Sequence, residues 1–597
     1  MPYLHEYDYI FAIGVIFAAL DAFNIGANDV ANSFATSVSS RSLTMRQATC
    51  LAAICEFLGA VLVGAKVSGT IKNGIISLST FDNNPGVQML GFTCALVASA
   101  TWLMIATYNS WPVSTTYSIV SALAGVGVAL KGAGAVQWGW NNGKGLATIF
   151  AGFGIAPAIS AGFAAVVYLI TKFAVLDRKN SLKKGLMLSP FYFFTVIAVL
   201  TMSIVYKGSP SLKLDKLPEV TIALAIVLTA LVVSILAIIF WIPYVYCKVV
   251  RRDYTLRWWH FPLGPLLWKR PAPPAHEDPN HQHVQDYRVY GREDERPAGT
   301  TAETVAVVSP PVAGAESGNN SIENEAEIEG KAWGSEKDVE AGEPQLHNQP
   351  APARPARLAE LEQEDQHKIE GSWFLPQNLW ILIRYKIPGK LLKGWNFDVH
   401  EAQKGKTDKE AARIREMHEN ANQYDNETEH MYSYLQVITA CTNSFAHGAN
   451  DVANAVGPFS AIYYVWSKGV VTPKDTPTPT WVLVFGAAML VIGLATYGYN
   501  ILLALGNRLT LMSPSRGFSM EFGAAITVLL ASQYGIPVST TMCITGATAG
   551  VGLVSGGPKA VNWRAFGHIF LGWVLTVPVA GVAAGCLCGL FINAPHW

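Results

Sequence analysis

The stretch DAFNIGANDVANSFA, Asp21 to Ala35, returns near the other end of the chain as NSFAHGANDVANAVG, Asn443 to Gly457. GANDVAN is identical in both. A second pair follows: WPVSTTYSIVSALAGVG, Trp111 to Gly127, and IPVSTTMCITGATAGVG, Ile536 to Gly552. Gly26 lines up with Gly448 and Ser114 with Ser539 at almost the same separation. Two matches sharing one offset are not chance motif hits, so the chain carries a duplicated unit.

Both motifs lie in apolar surroundings. Hydrophobic residues make up 51% of the 597-residue chain and charged residues 14%, against about 25% in a soluble domain. The missing charge marks a surface that faces lipid. Apolar runs near the ~20 residues that cross a hydrocarbon core stand near 8–36, 48–65, 87–109, 112–130, 146–175, 188–206 and 220–247. After a polar insert they resume near 431–457, 480–505, 518–534, 537–555 and 565–593. The pattern predicts an all-α polytopic membrane protein of about twelve transmembrane or re-entrant segments. The joints before Pro112 and Pro537 are tight, so each joined pair is either a re-entrant hairpin or two full spans. Seven segments precede the second copy, and an odd number turns it over. Inverted repeats of this kind are a transporter architecture, with substrate and ions bound near the midplane where the repeats meet.

The expected organisation is membrane repeat one over 1–175, two connecting segments over 176–247, a cytosolic insert over 248–430 and membrane repeat two over 431–597. PAPPAHEDPN, SPPVAGAESGNN and PAPARPARLAELEQED bury too little apolar surface to offset chain entropy, so about 270–365 is predicted disordered. The aromatic, basic stretch near 370–400 either lies along the cytosolic membrane face or packs as an ordinary juxtamembrane helix. Orientation follows the basic residues. With the N-terminus outside, Arg41, Arg46, Arg178, Arg251, Arg252, Arg508, Arg516 and Arg564 all fall inside, and the outer loops hold lysines but no arginine. This predicts a multi-pass plasma-membrane protein with both termini outside and the large loop cytosolic. The sequons at Asn319 and Asn426 then escape glycosylation. The N-terminus lacks the basic stretch and cleavage site of a signal peptide, so the first run reads as a retained span. The eight cysteines read as small buried hydrophobes rather than a disulfide or zinc framework. Lys+Arg and Asp+Glu are both 43, which gives no field for nucleic acid.

The motifs suit particular ligands. GANDVAN places Asn28, Asp29 and Asn32, then Asn450, Asp451 and Asn454, inside apolar runs. A carboxylate there is costly and functional by default. Glycine beside Asn and Asp lets a helix break and expose carbonyls. Carbonyl, amide and carboxylate oxygens together suit a hard cation such as sodium. The competing reading is a polar helix–helix contact. PVSTT suits an oxyanion. Proline favours the first turn of a helix, and the hydroxyls that follow join the free N–H groups and dipole there. Ser114, Thr115 and Thr116 with Ser539, Thr540 and Thr541 form two such ends, able to hold one tetrahedral anion between them. The competing reading has these hydroxyls bond back to their own helices. Glu56 and Glu521 are lone acids in apolar runs, either ion or proton sites or helix-pairing groups. His447 stands where the first copy has Ile25, and reads as a hydrogen-bonded partner of Asp451 in preference to a proton carrier. Asp21 opposes Asn443, so one copy has an extra acid.

These residues resemble the PiT family of inorganic phosphate transporters, and within it the fungal high-affinity sodium–phosphate symporters. The resemblance rests on the doubled GANDVAN and PVSTT motifs, the long insert and the N-out arrangement, and spans both membrane blocks. It implies cation coupling at Asp29 and Asp451, and phosphate binding at Ser114 and Ser539 with the threonines after each. It also implies a homodimer in which a transport domain moves against a scaffold. Animal relatives carry a further glutamate where this chain has Phe92.

The reading is therefore a secondary transporter importing inorganic phosphate by sodium symport, without a cofactor. Its competitors are a proton-coupled phosphate or sulfate symporter and a phosphate-sensing receptor whose insert signals. An enzyme is disfavoured: no nucleophile with a nearby base stands out beyond His447, and no nucleotide loop is present.

Overall fold

The computed structural model describes residues 5–140, 145–206, 217–271, 273, 283–287, 371–372, 375–386, 388–389, 399, 403, 407–474, 476–502 and 504–594. Most of 270–365, for which disorder was expected, and Asn319 lie outside them. Among the described residues the regular elements are helical, with one isolated antiparallel bridge between Ile76 and Val136.

The first repeat begins with α1 (Asp8–Asn28) and α2 (Val30–Ser39), interrupted only at Asp29. α3 (Met45–Val63) starts at a capping box between Thr44 and Gln47, and continues beyond Gly64 as α4 (Ala65–Asn73). α5 (Pro85–Tyr108) is capped by Asn84, and α6 (Thr115–Lys131) by Ser114. α7 (Leu146–Thr171) closes the repeat. Two connecting helices follow, α8 (Ser181–Val205) and α9 (Glu219–Leu236), the latter prolonged by π-turns to Val250. The second repeat holds α10 (Asn426–Lys468), α11 (Thr480–Tyr497), α12 (Pro514–Gln533), α13 (Thr540–Gly556) and α14 (Trp563–Asn593). Eight of the described helical runs are long and apolar enough to cross a membrane. α6, α10, α12 and α13 are not among them, because they are short or carry the polar residues of the site.

The repeats interlock through glycines. A Cβ on Gly26 of α1 would lie 1.8 Å from the Leu490 carbonyl oxygen of α11, and one on Gly493 of α11 would lie 1.8 Å from that of Phe23. In the other half, a Cβ on Gly448 of α10 would lie 2.2 Å from the Glu56 carbonyl oxygen of α3, and one on Gly59 would lie 2.1 Å from that of Phe445. Each motif helix thus touches, backbone to backbone, a helix of the opposite repeat. This corrects one expectation. Only the first motif interrupts its helix, at Asp29, whereas α10 runs through Gly448–Asn454 without a break. The motif glycines are small so that neighbouring backbones can meet.

The tight joints are also resolved. Residues 109–114, between α5 and α6, reach Asn28, which donates to the Trp111 carbonyl at 3.0 Å and accepts from the Val113 N–H at 3.1 Å. The joint between α12 and α13 reaches Asn450, which donates to the Val538 carbonyl at 2.6 Å. Asn450 lies near the middle of the 43-residue α10. The far ends of each pair return together: Lys131 pairs with Asp82, and Thr510 donates to the Ala560 carbonyl at 2.8 Å. In both pairs the joint thus reaches a motif helix while the far ends return together.

The edges of the insert are more ordered than its composition suggests. A 3₁₀ segment, Trp258–Lys269, folds back on the α9 extension, where the Cys247 thiol donates to the Leu267 carbonyl at 3.3 Å. α10 begins at Asn426, whose side chain donates to the Gln285 carbonyl at 2.7 Å and accepts from the Tyr287 N–H at 2.9 Å. Residues 290–386 form a separate unit. Within it, Pro376–Ile381 and the π-turn Leu382–Lys386 expose Leu379, Trp380, Ile383 and Tyr385.

Candidate functional site

The two hairpin tips bring all four threonines to the two motif aspartates. Thr115 Oγ1 donates to Asp29 Oδ2 at 2.5 Å, and Thr541 Oγ1, from the other repeat, donates to Asp29 Oδ1 at 2.5 Å. Asp451 has the mirrored pair: Thr540 Oγ1 donates to Oδ2 at 2.5 Å and Thr116 Oγ1 to Oδ1 at 3.3 Å. The tips also hold each other, since Thr116 reaches the Val538 carbonyl at 3.2 Å and Thr541 the Val113 carbonyl at 3.4 Å. Asp29, Asp451 and the four threonines are buried. Each acid is thus served once by its own repeat and once by the other.

The asparagines frame this centre. Asn454 Nδ2 stands 3.2 Å from both Thr115 Oγ1 and Thr116 Oγ1. Asn450 Nδ2 donates to Asp451 Oδ1 at 2.8 Å. Asn28 also donates to Thr107 Oγ1 at 2.9 Å. The side chain of Asn32 lies outside the described residues. Ser114 and Ser539 are helix caps: each hydroxyl accepts from the N–H three residues on, Tyr117 at 3.3 Å and Met542 at 3.4 Å. The competing reading of back-bonding hydroxyls therefore describes the serines, while the threonines face the acids.

His447 joins two acids. Its Nδ1 lies 2.6 Å from Glu56 Oε2, and its Nε2 lies 3.0 Å from Asp451 Oδ2 without hydrogen-bond geometry. Glu56 Oε1 accepts from Ser444 at 2.8 Å. The expected contact with Asp451 is thus a close charge contact, and the stronger tie runs to Glu56, on α3 of the other repeat. The equivalent positions in the other half are Ile25 and Leu490, an apolar pair. Asp29, His447 and Asp451 each offer a ligand atom within 4.8 Å of the others, the spacing of a cation site.

Glu521 lies apart from this centre. It accepts from Thr36 at 2.5 Å, Ser37 at 2.6 Å, Gln436 at 3.0 Å and Thr439 at 2.7 Å. These four donors come from α2 and α10, and sequence reasoning did not single them out. The only signal was a hydroxyl run, FATSVSSRS over Phe34–Ser42, at the end of an apolar segment. Phe92 is buried against Phe81.

Chemically, the centre offers hydroxyl donors to an anion and carboxylates to cations, with no arginine or lysine among these contacts. Residues 25–584 match the profile of a family described as the phosphate transporter family. Over the full chain, the sequence is 43% identical to the phosphate-repressible phosphate permease of Neurospora crassa, covering 99% of that protein. It is 30% identical to sodium-dependent phosphate transporter 2 of Bos taurus, with 99% of each chain covered. A solved structure titled "The sodium-dependent phosphate transporter" shares the fold, with TM-score 0.57 and 24% identity over 98% of this chain and 100% of that one.

Proposed function

Because this chain belongs to the phosphate transporter family, we propose that it imports inorganic phosphate across the plasma membrane by sodium symport, with the anion held between the hairpin tips and sodium at the aspartates. The observation that carries this reading is the crossed pairing of four threonines with Asp29 and Asp451. A threonine hydroxyl has one proton to donate. A tetrahedral oxyanion entering between the tips competes with the aspartates for those protons. Each hydroxyl that turns to the anion leaves a carboxylate oxygen bare in a low-dielectric interior, where an unpaired charge is costly. A cation at that oxygen removes the cost. Anion and cation occupancy are therefore linked through the same side chains, which is what symport requires. The first-turn N–H groups of α6 and α13 add donors and dipole on the anion's side. Asn28, Asn450 and Asn454 hold the tips in register, and Ser114 and Ser539 cap the helices that carry the donors.

The inverted repeats support alternating access: the same unit, used in opposite senses, opens the centre first to one side and then to the other. The arginine distribution supports an outside N-terminus and a cytosolic insert. A homodimer belongs to the same reading through the family resemblance. Glu56, His447 and Glu521 are the further coupling candidates. His447, between Glu56 and Asp451, is the observation that favours a second reading in which a proton replaces sodium.

Labelled phosphate uptake into vesicles of purified protein tests both. Sodium is replaced by choline at fixed pH, and pH is then varied at fixed sodium. Uptake is expected to collapse in choline and to accumulate against a gradient in sodium. Uptake that ignores sodium but follows the proton gradient selects the second reading, and binding without accumulation refutes transport altogether.

A further inference from the structure

Asp21 lies two turns before Asp29 on α1, away from the threonine centre. It is fully buried, and neither carboxylate oxygen has a hydrogen-bond donor. No lysine, arginine or histidine among the described residues pairs with it. Asn24 is one turn further along the same face. It too is fully buried, and its side-chain Oδ1 has no donor, because its Nδ2 is spent on the Ala100 carbonyl of α5 at 2.9 Å. The neighbouring residue on α5, Ser99, brings its hydroxyl toward the Asp21 carboxylate. Its hydroxyl is 3.0 Å from that of Ser118 on α6. Along α5, which packs against both α1 and α6, the interior thus contains two carboxylate oxygens, an amide oxygen and two hydroxyls.

We propose that Asp21, Asn24, Ser99 and Ser118 form an additional sodium site, separate from the Asp29–Asp451 centre. A bare carboxylate in a membrane interior needs a counter-charge, and a donor set made only of oxygens is what a hard cation takes. The second repeat has no equivalent, since Asn443 stands where Asp21 does. The site therefore adds one negative charge to one half of an otherwise mirrored framework, and one cation to the load. Asp21 on α1 also packs against the first hairpin, at Ser99, so its occupancy bears on the element that delivers Thr115 and Thr116.

The inference rests on sodium-coupled phosphate transport, and the test separates the two. Asp21→Asn installs the residue that the second repeat already carries. In proteoliposomes, wild-type currents and labelled phosphate uptake give charge moved per phosphate, and equilibrium binding of labelled sodium to purified protein gives sites per chain. Asp21→Asn is expected to lower the charge per phosphate by one and the sodium count by one. If the variant does not transport, the binding count alone decides. An unchanged sodium count overturns the proposal. So does a lost charge with the sodium count intact, which assigns a proton to Asp21. Wild-type uptake that does not need sodium sinks the symport reading itself.

Discussion

Gly448→Ala tests whether close backbone packing positions the site. The added Cβ would fall 2.2 Å from the Glu56 carbonyl oxygen and 2.8 Å from the Glu56 Cα, where ordinary contact begins at 3.4 Å. The clash is with backbone on both sides, so no side chain can swing away. α10 and α3 must separate by about 1 Å locally, because packed interiors do not absorb such a change. Overpacking of this size costs about 1–3 kcal/mol, which a membrane protein can survive. Function should be less tolerant. Glu56 on α3 meets His447 on α10 across this contact at 2.6 Å, and His447 in turn lies 3.0 Å from Asp451 on its own helix. A misplacement of about 1 Å in such a constellation costs on the order of a hundredfold in rate. The assay is initial phosphate uptake per reconstituted molecule, with thermal unfolding in detergent as the check on folding. Gly69→Ala is the control, since a Cβ there meets nothing within 4 Å. The expected result is a folded Gly448→Ala protein with uptake reduced at least tenfold and a near-normal Gly69→Ala. Uptake within twofold of wild type in Gly448→Ala would show that the site does not depend on this packing.

Three further outcomes follow from named contacts. Thr541→Val removes the cross-repeat donor to Asp29; since a hydrogen bond to a charged group is worth about 1.5–3 kcal/mol, the KM for phosphate should rise at least roughly tenfold, and a KM within twofold of wild type would contradict the donor role. Glu521→Ala leaves Thr36, Ser37, Gln436 and Thr439 without their shared acceptor. At about 1–3 kcal/mol per stranded buried group, the melting temperature in detergent should drop clearly, and Glu521→Gln should restore part of it; equal melting temperatures for Glu521→Ala and wild type would refute the cage. Asp253, just past the α9 extension, is pushed up by burial, but donors from Thr255 and Arg270 outweigh this and hold its carboxyl below the ordinary value of 3.8. A depressed folded-state value gives stability that is present above the unfolded value and lost as pH falls through the folded one. Asp253→Asn should therefore melt below wild type at neutral pH, with the gap closing below pH 3.8; a gap that stays constant down to pH 2 would remove the ionised clasp.

Length, hydropathy and repetition are local properties, and they carried a great deal. The apolar runs announced the helical membrane fold. The doubled motifs announced the inverted repeats, and Asp29, Asp451 and the Ser/Thr pairs were visible as polar residues where lipid-buried segments tolerate few. What a linear pattern does not contain is who meets whom across hundreds of residues. That Thr541 serves Asp29 and Thr116 serves Asp451, that His447 answers to Glu56 more closely than to the aspartate one turn away, and that Glu521 sits in a ring of donors from α2 and α10 are facts of docking. The motif glycines make the same point. Their composition suggested broken helices, but composition states only that a glycine permits a break. Whether that freedom is used to bend a chain or to let two backbones touch depends on the neighbour, and here Leu490 and Glu56 are near enough that nothing larger than hydrogen fits.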